Sequence, residues 1–171
     1  MIPDHVFGAL VFVFVEIMFY SSLLSSFLVM RRGRDSWGQE DFRALPVAGE
    51  GFNGLILALA AGSVVLAARS MSRGSTQARG HLFRATGLSA MFLMFQLALG
   101  WKLYAAGVTL TSSVFAGCLY VILGSHLLQA AIGTAWLARI KPSGAGHLRG
   151  LAVFWCFLFA IWPIMYGVLF F

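Results

Sequence analysis

No aspartate or glutamate follows Glu50, so a redox or hydrolytic metal site built from carboxylates cannot lie in the later apolar stretches of the chain. Cysteine is nearly absent as well. Cys118 and Cys156 both fall inside apolar runs, where a free thiol acts as a small apolar group, and no Cys-x-x-Cys occurs. Of the four histidines only His126 is at mid-run, whereas His5, His81 and His147 read as interfacial. A haem held by two axial imidazoles needs a second deep histidine, which the sequence does not supply. There is no phosphate-cradling glycine loop, no His-x-x-x-His, no internal repeat and no low-complexity block. The longest connection, Arg31 to Gly51, has about twenty residues, too few for a water-soluble core. Catalysis in an extramembrane domain is excluded by size, and the inventory contains no catalytic constellation.

What the chain has is apolar length. Of 171 residues 60% are hydrophobic and 11% charged, with mean hydropathy +0.85, far from the balance of a soluble domain. A hydrocarbon core about 30 Å thick is crossed by about 20 apolar residues in helical form. Five such stretches are present, at 6–30, 52–68, 85–106, 112–138 and 151–171. Backbone groups in lipid must be satisfied within the chain, and no dyad alternation of a barrel is visible, so the spans are helices. The expected fold is all-α: a polytopic, five-transmembrane-helix bundle forming a single domain over residues 1–171.

The net charge of +6 comes from twelve Lys and Arg strung along short connections rather than gathered on one helix face. That pattern fits lipid headgroups and topology, and nucleic acid is not an expected partner. Seven basic residues lie in Arg69–Arg84 and Arg139–Arg149, on the side of the N-terminus, against five on the other side. The count favours an inside N-terminus and an outside C-terminus, although Arg31, Arg32 and Arg34 after the first span argue the other way. Asp4 and His5 precede a full-length span rather than a cleavable leader, and there is no Arg-rich amphipathic leader. A multi-pass protein of a prokaryotic plasma (inner) membrane is expected.

Glu16 is the only acid inside any of the five stretches. A carboxylate at bilayer depth costs about 3 kcal/mol on insertion scales, so such a residue has a buried partner or a task. In the fourth stretch His126, Gln129, Gly133 and Trp136 follow a helical rhythm that Cys118, Ile122 and Ser125 continue, and this face is expected to pack on protein. Both Glu16 and His126 fall near mid-depth, so a Glu–His contact is geometrically possible. The candidate intramembrane polar network is therefore Glu16, His126, Gln129 and Ser125. Two readings of Glu16 stay open, a protonated carboxyl bonded to a neighbouring helix and a proton-handling group. For His126 a neutral imidazole bonding across helices is preferred to a metal ligand. Gln129 and Ser125 read as interhelical contacts, Trp37, Trp101 and Trp155 as interfacial belts, and Pro163 as a kink in the last helix.

Three motifs, in order along nearly the whole chain, carry a family resemblance. Val15-Glu16-Ile17-Met18-Phe19-Tyr20 on to Met30-Arg31 resembles the Ser-Glu-Val-Met-Phe-Phe helix of cytochrome c oxidase subunit III. Gly124-Ser125-His126-Leu127-Leu128-Gln129 on to Gly133 and Trp136-Leu137 is similar to the Gly-Phe-His-Gly-Leu-His-Val-x-x-Gly-x-x-Trp-Leu of that family. Phe154-Trp155-Cys156-Phe157 on to Phe159 and Trp162 resembles its Tyr-Trp-His-Phe-Val-Asp-Val-Val-Trp. Gln129, Cys156 and Phe159 stand where that family has His, His and Asp. Gln96 and Trp101 resemble its Gln-x-Tyr-Glu-Trp, with one residue more and no Glu. The likeness is to the short five-helix form.

The resemblance implies an accessory subunit with no catalytic site of its own and no cofactor or metal of its own. Haem and copper are then in the partner, the oxidase catalytic subunit I. Other implied companions are further respiratory-complex subunits and bound phospholipid. It implies support of oxygen and proton access and of lasting turnover in aerobic electron transport. The alternatives are a similar subunit of a nitric-oxide reductase complex, and an independent small proton channel or carrier using Glu16 and His126. A relay across about 30 Å needs several polar stations, and these two supply one depth.

Overall fold

The computed structural model describes residues 4–32, 45–75, 77–140 and 145–170. They form five long helices: α1 (Asp4–Arg32), α2 (Val47–Ser72), α3 (Ala78–Ala105), α4 (Val114–Arg139) and α5 (Ala145–Phe170). All five are long and apolar enough to cross a membrane, and no strand occurs among the described residues. The expected all-α, five-helix membrane bundle is what the chain forms.

The helices outrun the apolar stretches from which they were expected. α2 starts at Val47 rather than residue 52, α3 at Ala78 rather than 85, and α5 at Ala145 rather than 151. At 26 to 29 residues, and 1.5 Å per residue, they are about 39 to 44 Å long, well beyond a hydrocarbon core. The extra turns at the starts of α3 and α5 carry arginines, whose stems lie along apolar surface while their heads stay in water, whereas that of α2, residues 47–51, has Glu50 as its one charged residue. Arg31 and Arg32, Arg69, Lys102 and Arg139 each fall in a last turn, where a cation meets the negative end of the helix dipole. α4 begins with a cap: Ser113 Oγ accepts from the Ala116 amide at 3.0 Å.

Packing is uneven. α2 lies against both α3 and α5, and α5 also lines α1, while α4 touches α3, α5 and more lightly α1. α2 buries Asn53, Leu57, Ala60, Val64 and Ala67 at helical spacing, mostly small side chains that let helices approach closely in lipid. Gly54 is the tightest point, because a Cβ there would strike the Trp162 indole of α5. Gly133 of α4 likewise faces Phe154 and Trp155, with 3.0 and 3.3 Å from a would-be Cβ to their nearest atoms. α1 is different: Tyr20, Leu24 and Phe27, at i, i+4 and i+7, are its buried apolar side chains.

Two of the aromatic expectations fail on this packing. Trp155 is 0% exposed instead of interfacial, because the groove left by Gly133 receives its ring. Trp136 is 54% exposed instead of packed on protein. Ten residues at about 100° each fall roughly 80° short of three turns, which carries it off the face of His126. Trp101 is exposed, as a belt residue would be, and Trp37 lies outside the described residues.

Candidate functional site

Glu16 finds its partner on α4. Gln129 Nε2 donates to Glu16 Oε2 at 2.6 Å, and the Tyr20 hydroxyl donates to Gln129 Oε1 at 3.0 Å. One carboxamide thus serves both its ends, tying α1 to α4. Glu16 is only half-buried, at the edge of the bundle. Tyr20 was not among the expected site residues, although its spacing of four from Glu16 puts the two on one helix face.

His126 does not meet Glu16 in a hydrogen bond. Its Nε2 lies 3.1 Å from the Leu158 carbonyl of α5, and a carbonyl only accepts, so Nε2 carries the proton. Leu158 lies one residue before Phe159, the residue whose carbonyl loses its helical donor to Pro163. The imidazole is 1% exposed and enclosed by rings: Trp162 at 5.1 Å, Phe92 at 6.0 Å and Tyr20 at 6.4 Å between centroids. Its Nδ1 is buried and unpartnered. Ser125, read as an interhelical contact, donates to the Ile122 carbonyl of its own helix at 2.9 Å and lies against the Tyr20 phenol of α1. Among the described residues no three of His, Cys, Asp and Glu gather as metal ligands.

A second polar cluster lies between α2 and α3. Glu50 is 0% exposed, and Gln96 Nε2 donates to its Oε1 at 3.1 Å. Asn53 Nδ2 in turn donates to Gln96 Oε1 at 2.7 Å. Glu50 and Asn53, three residues apart on α2, therefore clamp one side chain of α3. Glu16 is thus not the sole acid within a span, because the helix that was expected to begin at residue 52 begins early enough to enclose Glu50. Leu45-Pro46 and the glycines around Glu50 read as an approach segment, and that punctuation hid the helix. Glu50 Oε2 and Asn53 Oδ1 have no partner.

A cleft of about 540 Å³ opens beside this cluster, between α3 and α4. Glu50 and Gln96 are at its wall, Leu97, Leu123 and Leu127 line its depth, and Trp101 and Tyr104 stand at its rim. Between the two clusters sit Phe92, His126 and Trp162, so the interior alternates polar knots with aromatic packing. The arrangement binds helices to one another and leaves apolar recesses.

No known family model matches the chain. Cytochrome c oxidase subunit 3 of Synechocystis sp. is 23% identical to it, over 96% of this chain and 74% of that protein. Cytochrome c oxidase subunit 3 of Thermostichus vulcanus is 27% identical, over 98% of this chain and 88% of that protein.

Proposed function

For a chain that is subunit III-like over nearly its whole length, we propose the role of a non-catalytic accessory subunit in a respiratory haem-copper terminal oxidase. It acts as one transmembrane domain that packs on the catalytic subunit, holds phospholipid and supports oxygen and proton access through sustained turnover. The end-to-end similarity to two cytochrome c oxidase subunit 3 proteins carries this reading. Haem and copper belong to the partner.

The physical chemistry of the bundle is in keeping with it. The outer face of α1, with Phe7, Phe14, Val15, Met18 and Val29 exposed, offers apolar surface to a neighbouring subunit or to lipid. The α3–α4 cleft has the length of wall and the amphipathic rim to take an acyl chain. Apolar interiors dissolve a nonpolar gas, and Glu16 at the edge of α1 is placed to tune a local network at the subunit boundary. The N-terminus lies inside and the C-terminus outside in this reading, in a prokaryotic inner membrane.

Purification of the complete chain in mild detergent, with visible spectra and mass spectrometry of what accompanies it, tests the proposal. Haem-bearing oxidase subunits in stoichiometric amount are expected. A chain that purifies without a haem protein overturns the assignment, and a complex that reduces nitric oxide but not oxygen moves it to that relative.

A further inference from the structure

Glu50 Oε1 accepts from Gln96, but Oε2 of the same carboxyl has no hydrogen-bond partner among the described residues, although the side chain is 0% exposed. A buried charged acceptor without a donor is strongly disfavoured. Glu50 forms part of the wall of the α3–α4 cleft, so a head group small enough to enter the cleft comes against it. Among the described residues that line the cleft there is no lysine, arginine or histidine. Its walls therefore leave the carboxylate uncompensated, and a ligand that brings both a positive charge and an N–H supplies what is missing.

The mouth of the cleft is aromatic. Trp101 and Tyr104, in the last turns of α3, are 70% and 60% exposed, with ring centroids 5.8 Å apart and planes 32° from parallel. Tyr120 of α4 also lines the cleft, and its hydroxyl donates to the Val108 carbonyl at 2.9 Å, which holds the ring in place. The face of an aromatic ring attracts cations, and a cluster of rings is the usual recognition element for an ammonium group. Deeper in the bundle the wall turns to Leu97, Leu123 and Leu127. Gly100 and Gly124 keep it open there, since a Cβ on either would meet nothing within 4 Å. Rings and acid thus stand at the helix ends, with leucines below them. With no base at the site, a phosphodiester finds nothing to hold it, so a phospholipid headgroup is a poor fit.

We propose that the α3–α4 cleft is a binding site for an amphiphilic alkylammonium. Its N–H donates to Glu50 Oε2, its charge faces Trp101, Tyr104 and Tyr120, and its alkyl chain lies on Leu97, Leu123 and Leu127. The inference narrows the occupant of a cleft whose wall suits a single chain, and it holds whichever enzyme complex the protein joins.

The test uses the full chain in mild detergent, with whatever subunits copurify, and counts retained dodecylammonium by native mass spectrometry. One saturable dodecylammonium per chain is expected, and dodecanol, which has the same chain without the charge, is not retained. Glu50→Gln, which can still accept from Gln96, is expected to weaken retention about tenfold by removing the charge from the hydrogen bond. W101A/Y104A, at the exposed rim where folding is not at stake, is expected to weaken it about threefold. Asp4→Asn, which removes an exposed acid outside the cleft, leaves the count unchanged. Retention equal to wild type in both E50Q and W101A/Y104A overturns the proposal, and if E50Q does not fold the rim variant decides alone. Equal retention of dodecanol overturns it by making the site one for any alkyl chain. Equal retention of dodecyltrimethylammonium, which has no N–H to give, also overturns it, as does displacement by an equal concentration of phosphatidylethanolamine. Failure to find haem partners leaves the amine count unaffected, so this proposal and that of the oxidase subunit fail separately.

Discussion

Glu50 and Glu16 make the same hydrogen bond, a glutamine amide donating to a carboxylate oxygen, in opposite settings. Glu50 is enclosed between α2 and α3 and has Asn53 bracing the same glutamine, in the most extensively packed helix pair of the bundle. Glu16 sits half-buried on a helix that touches its neighbours through a narrow seam, with a single tyrosine behind its glutamine. Contact chemistry is shared and burial differs: Glu50 joins α2 to α3 from inside the bundle, and Glu16 joins α1 to α4 from its edge.

Five substitutions sharpen or break that contrast, four of them read from the midpoint of detergent-induced unfolding and one from assembly and turnover. Gly54→Ala should be the most damaging, by about 3 kcal/mol, because a new Cβ overpacks against the Trp162 ring in the tight half. Glu50→Ala should cost about 2 kcal/mol by leaving the buried Gln96 amide without its acceptor. Glu16→Ala should cost about 0.6 kcal/mol, the usual scale of an interhelical hydrogen bond in lipid. A Glu16→Ala loss equal to that of Glu50→Ala would abolish the distinction. Glu16→Gln should leave assembly and initial turnover of the complex intact, and a complex that fails to assemble would show the charge or proton to be structural. Ser125→Ala, which removes a bond within its own helix, should stay below about 0.5 kcal/mol.

The five helices were legible in the sequence because each carries an apolar run long enough to cross a membrane. Their ends were not, since Arg79, Arg84, His147 and Arg149 extend α3 and α5 in helical form without adding hydropathy. Glu16 and Gln129 were legible as polar residues stranded in apolar surroundings, and the structure joins them. Tyr20, which donates to the other end of Gln129, was not, because a tyrosine in such a run looks like ordinary aromatic packing. Glu50 was obscured by its Pro- and Gly-rich neighbours, and its value depends on Gln96, which chain order places far away. Periodicity alone overreached at Trp136, where small angular drift accumulates, and undervalued Trp155, whose burial depends on a glycine in another helix.

The bond between Glu16 and Gln129 joins residues 113 positions apart. At about 5–20 residues per second of synthesis, roughly 6 to 23 seconds separate the emergence of the acid from that of its amide. During that interval the first helix waits among lipids with its carboxyl uncapped, held by its hydrophobic length alone. A product cut short before the fourth helix has no Gln129, and its Glu16 is left without that donor.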